Sequence, residues 1–167
     1  MATERKYLAH LIDAAFDMTH TKTNYIRIGK DLEDFTMNMA PEVDSKRNIL
    51  GENAVYVSGY DASGSVDPFY YEYNDELSEK IWDLAMSRAT GDACRTSYVD
   101  VLLAPPEEVG GKPTVIEAWR EDCMVLRESY GGDSTGIQMP FEIRPVGNRV
   151  KGTFDMDTKK FTESENL

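Results

Sequence analysis

One stretch constrains the fold of this chain more than any other. Residues 74–91, NDELSEKIWDLAMSRATG, carry its clearest helical periodicity. Leu77, Ile81, Leu84 and Ala85 recur at helical spacing and form one apolar stripe, which Trp82 and Met86 widen. Asn74 is placed to cap the N-terminus, while Asp75 and Glu76 put negative charge at the positive end of the helix dipole. Arg88 and Gly91 suit the other end. Nearly everything after this segment reads as strand, and most of what precedes it reads as strand or loop. A lone amphipathic helix must bury its stripe, and here a sheet is the available partner. The expected class is therefore mainly β with one main helix (α+β), the helix covering about residues 75–90.

The strand signals follow in order. Tyr7, Leu8, Leu11, Ile12, Ala15 and Phe16 have helical spacing, but the run is short, and residues 1–20 read as an ordered N-terminal arm or a first strand. Residues 25–28 form a short strand, with a turn at Lys30 and Asp31. Phe35, Met37 and Met39 alternate with Thr36 and Asn38 over a second run, 32–39. Residues 40–51 are charged, contain Pro41 and turn at 48–51, so they read as an excursion from the core; 54–60 resume strand character. Residues 61–68 read as a loop. After the helix, 96–103 and 114–128 read as strands around a tip at 107–113, with a bulge or exposed edge at Arg120, Glu121 and Asp122. Residues 129–136 read as another loop. Ile137, Met139, Phe141 and Ile143 give the cleanest alternation, interrupted by Pro140. Gly147 and Asn148 suggest a tight hairpin turn, with Val150, Phe154 and Met156 facing the core and a gap at Gly152. Phe161 is expected to anchor a polar tail, 162–167. No repeat or linker divides the chain, so 1–167 reads as one domain.

Composition narrows the function. With 167 residues and 17 Phe, Tyr and Trp, the chain can bury a sizeable core, roughly 70% of its unfolded surface. A net charge of −12 argues against nucleic-acid recognition through a basic face. No run of about 18 apolar residues offers a membrane span, and the opening residues carry no signal-peptide pattern. Cys94 and Cys123 fit a reducing compartment, with a bridge between them left open. The expected setting is a soluble product of the cytoplasm.

Catalytic signals are thin. His10 and His20 lack metal-ligand spacing, and neither a GxSxG elbow nor a Walker loop is present. Cys123 alternates in phase with Val125 and reads as a small buried hydrophobe. Asp155 and Asp157 resemble the start of a calcium loop without its later glycine and glutamate. Asp31, Glu33 and Asp34 read as a solvated turn. The expectation is no enzyme: no catalytic, cofactor-binding or metal site and no cofactor. Tyr56, Tyr60, Phe69, Tyr70, Tyr71 and Tyr73 admit two readings, a carbohydrate-stacking platform or a core and subunit interface, the second being favoured.

Two long segments carry a resemblance. The run YIRIGKDLEDFTMNMAPEVDSKRNILGENAVYVSGYDASGSVDPFYYEYNDELSEKIWDLAMSRATGD and the later run AWREDCMVLRESYGGDSTGIQMPFEIRPVGNRVKGTFDMDTKKF resemble the major tail protein, or tail tube protein, of tailed phages and prophages of Gram-positive gut bacteria. The likeness rests on order: an aromatic-x-x-IG strand, NILG before a strand ending GY, VDPFYYEY before the helix, and GNRVKGTFD near the end. It extends from about Lys6 to Phe161.

That resemblance implies a β-sandwich or barrel-like fold with a flanking helix, assembled as hexameric rings that stack into a virion tail tube. It implies self-association and contacts with tape measure, tail terminator and baseplate proteins. DNA would cross the lumen without specific binding, and an acidic wall suits that passage. Residues 1–20, 40–51, 107–113 and the C-terminal tail are the implied joining segments. Other readings are a tube subunit of a contractile phage-tail-like bacteriocin, another tube-like protein such as one from a baseplate hub or a tail terminator, or a non-catalytic carbohydrate-binding β-sandwich.

Overall fold

The computed structural model describes residues 1–164. Twelve strands and one α-helix are found among them: β1 (Leu8–Asp13), β2 (Tyr25–Ile28), β3 (Met37–Asn38), β4 (Pro41–Arg47), β5 (Asn53–Tyr60), β6 (Ser63–Val66), α1 (Glu76–Met86), β7 (Arg95–Ala104), β8 (Thr114–Arg127), β9 (Gly131–Asp133), β10 (Gly136–Gln138), β11 (Phe141–Asp155) and β12 (Lys160–Glu163). Eight strands make one antiparallel sheet in the order β2-β1-β7-β8-β11-β6-β3, with β12 on β11. The mainly β, one-helix class is thus the observed one.

The sheet is strongly curled. Tyr25 on β2 and Phe154 on β11 lie four strand positions apart, about 19 Å in a flat sheet. Their rings nevertheless meet edge-on with centroids 5.8 Å apart. Each face carries a buried cluster. Ala9, Leu11, Val99, Val101, Ala118 and Phe154 fill the inside of the curl, while Ile12, Tyr98, Cys123, Val125, Phe141 and Ile143 belong to the other face. Leu77 and Ile81 of α1 pack on this second face, leaving Glu76, Glu79 and Asp83 exposed as the helical periodicity requires.

Several boundaries differ from the sequence reading. Asp75, not Asn74, caps α1, its carboxylate accepting from the Ser78 backbone N–H at 3.0 Å; Asn74 takes a left-handed φ of 64°. The helix ends at Met86, and Arg88 at φ 51° turns the chain before Gly91 is reached. Of the two readings offered for the N-terminal segment, residues 8–13 take that of a first strand, β1 being sandwiched between β2 and β7. In the run 32–39 Phe35 and Met37 are half-buried between exposed Thr36 and Asn38, but Met39 is exposed and just Met37 and Asn38 form ladder pairs. Residues 61–68 contain β6, a strand of small residues in which a Cβ on Gly64 would stand 2.8 Å from the Phe35 ring. Residues 129–136 hold β9 and run into β10, a small hairpin.

The expected turn at Gly147 and Asn148 is a bulge within a continuous 15-residue β11. Gly147 at φ 118° and Asn148 at φ 57° shift the register, and the side-chain amide of Asn148 donates to buried Asp122 at 2.9 Å. The irregularity therefore lies in β11, whereas β8 is paired on both sides and is no edge. The real turn lies between β11 and β12. The space at Gly152 is taken by the Phe161 ring and the Thr162 backbone, so the start of the expected polar tail is a strand. Residues 165–167 of that tail lie outside the described residues.

Candidate functional site

Several polar residues that could carry chemistry are bound into the fold by their neighbours. His10 Nδ1 lies 2.6 Å from Asp100 and its Nε2 lies 2.8 Å from the Arg5 guanidinium. Arginine can only donate, so Nε2 accepts and Nδ1–H donates to Asp100. Arg5 also donates to the Leu8 and Phe35 carbonyls, which ties the N-terminal segment to the loop before β3. His20 lies 3.7 Å from Asp122, which also receives Arg95 at 3.4 Å. Buried Asp13 accepts from the backbone N–H groups of Ala15, Asp17 and Asn24 at 2.9, 3.0 and 2.9 Å, closing the connection from β1 to β2.

Cys94 and Cys123 lie in different surroundings. Both are free and buried, and burial pushes the Cys123 thiol well above its ordinary range. Cys94 Sγ donates to the Ala89 carbonyl at 3.3 Å and receives Arg127 at 2.9 Å. The Tyr25 hydroxyl, raised to about 12 chiefly by burial, shares a 2.9 Å hydrogen bond with Ser97. Asp155 accepts from the backbone N–H groups of Asp157 and Thr158 at 2.9 and 3.2 Å, so the calcium-loop likeness is a turn that stabilises itself. Among the described residues no cluster of three or more His, Cys, Asp or Glu is arranged to hold a metal ion. No helix among them is long and apolar enough to cross a membrane.

The aromatic cluster read from the sequence is dispersed. Tyr56 and Tyr60 ride on β5. Phe69 packs edge-on against buried Phe141 at 5.1 Å, and Tyr73 is exposed. Tyr71 instead joins Trp82 at 6.1 Å, and Trp82 joins Tyr130 at 6.2 Å, forming a ladder on the outer side of α1 that Met86 extends. Tyr130 comes from the segment after β8, too distant in sequence for local patterning to unite with the helix.

The second prominent surface is β4–β5. These strands form their own two-stranded sheet, separate from the curled one, and almost every residue in them is exposed. The register pairs Val43 with Val57 and Ser45 with Val55, so three valines share one open face. Ile49 and Leu50 project fully at the tip. An isolated hairpin is marginally stable in water, and an exposed β-branched face is a surface awaiting cover.

No protein-family model matches the sequence, and no curated protein matches it. Among solved structures the chain is similar to one from the cryo-EM structure of an extracellular contractile injection system, PVC sheath/tube terminator in extended state. The TM-score is 0.50 over 90% of this chain and 96% of that one, at 7% sequence identity. The fold is shared. The match covers both chains nearly end to end.

Proposed function

We propose that this chain is a structural subunit of a phage tail or tail-like particle, acting as one domain over residues 1–167 without catalytic residues or cofactors. The observation that carries the reading is the fold likeness to the sheath/tube terminator, which spans 90% of the chain. The resemblance of residues 25–92 and 118–161 to tail tube proteins points the same way, as does the exposed hairpin, a feature costly to keep uncovered in a monomer.

The finer reading is a ring-forming protein, with hexameric rings that stack into a tail tube and residence in the virion. Its partners would be its own copies together with tape measure, terminator and baseplate proteins. A charge of −12 supports passage of DNA without sticking, because like-charged walls repel phosphate. The fold neighbour favours a second version, a terminator that closes a tube as one ring. Negative-stain electron microscopy of the concentrated protein separates these: stacked rings with an open channel are expected of a tube subunit, single rings of a terminator. Monomers at every concentration would overturn both. Against the carbohydrate-binding alternative, Phe69 packs on buried Phe141 and Tyr71 on Trp82, while Tyr56 and Tyr60 lie on β5.

A further inference from the structure

We infer that the valine face of the β4–β5 hairpin docks on the aromatic ladder of α1 in a second copy of this chain. The inference rests on the ring-forming reading and names the two surfaces that would meet. On the hairpin, Val43, Val55 and Val57 share a face with Ser45, Arg47 and Asn53, so the single charge carried by those strands on that face is positive. All three valines are at least half exposed, and among the described residues the hairpin strands pair with nothing but each other.

The surface on α1 is complementary in both respects. Trp82 and Met86, one turn apart, are each about two-fifths exposed, and Tyr130 beside them is more so. Glu79 and Asp83 precede Trp82 and Met86 by three residues and so flank the same face with negative charge. An apolar face with a cationic end thus meets an apolar face with an acidic edge. A seven-residue strand reaches about 23 Å, longer than the roughly 16 Å of an 11-residue helix, so one hairpin can span the ladder. Such a contact joins two different patches. It is heterologous, and repetition closes a ring or extends a filament.

A complementation experiment tests this. Val57→Asp removes the hairpin half and Trp82→Asp the ladder half, with Val55→Asp and Met86→Asp as second choices should either fail to fold. By sedimentation velocity each single variant is expected to self-associate at least about tenfold more weakly than the parent. An equimolar mixture of the two should give heterodimers and nothing larger, because one intact hairpin then meets one intact ladder. Unchanged assembly of either variant, or a mixture without heterodimers, overturns the docking. If rings persist in the micrographs of these variants, the ring-forming reading survives that result. A parent chain that stays monomeric throughout overturns both.

Discussion

Val99, Val101 and Val125 on β7 and β8 are completely buried, whereas Val43, Val55 and Val57 on β4 and β5 are about half to two-thirds exposed. The residue type is the same, and so is the alternating pattern in which they sit. What differs is the surroundings: β7 and β8 are paired on both sides and their valines pack in the two core clusters, while among the described residues β4 and β5 have one partner each and their valines lie open. Period-2 alternation thus reports that a strand has two unlike faces, and says nothing of whether the apolar face is filled by the same chain or by another.

This contrast can be broken by placing charge in each region. Val101→Asp, or Ile81→Asp beneath α1, buries an unpaired carboxylate and should cost more than about 4 kcal/mol, leaving no folded protein by circular dichroism. Val57→Asp, the same change at an exposed site, should shift stability by no more than about 0.5 kcal/mol while reducing assembly. Equal thermal midpoints for the Val101 and Val57 variants would erase the distinction. Truncation gives a milder version: Phe141→Ala should cost about 3–5 kcal/mol in urea titrations of the monomer. Val55→Ala should cost almost nothing there.

A smaller effect is expected at the helix that forms the ladder. Asp75→Ala removes the cap on α1 and should cost about 1 kcal/mol, read as a lower thermal midpoint. The smallest concerns an exposed loop that, unlike the hairpin, holds itself in place. Asp17 accepts from the Thr19 hydroxyl and from backbone N–H groups of Thr19, Thr21 and Lys22, and these bonds lower its pKa to about 2. A depressed carboxylate contributes its stabilisation above the ordinary range, near 3.8, and loses it as pH falls through about 2. The Thr21 and Lys22 amide resonances should therefore titrate near pH 2, and Asp17→Asn should abolish that transition. A midpoint near 3.8 would show that the loop is not clamped.

Much of the fold was legible where local pattern and tertiary context agree. The stripe Leu77, Ile81 and Leu84 is buried as its spacing implies, and Met139, Phe141 and Ile143 keep the alternation read from them, whereas Ile137 on β10 is half exposed. The reading failed where a distant partner decides. Gly147 and Asn148 carry the local chemistry of a hairpin turn, yet form a bulge because Asp122 on the neighbouring strand takes up Asn148. Residues 63–66 have loop composition, but β11 and β3 supply a ladder on either side. The contact between Tyr130 and Trp82 escaped the reading for the same reason, since Tyr130 reaches the helix from beyond β8.

The sequence by itself determined the class, the one helix with its inward stripe, the strand-rich remainder and the acidic character. Those follow from nearest-neighbour geometry along the chain: 3.6 residues per turn, two per pleat, and charge as a simple sum. The tertiary structure alone decided which strands are interior, how far the sheet curls, and that β4–β5 stands apart with its valines uncovered. These depend on pairings between residues far apart in sequence, whose free energy is gained only when the partner is present.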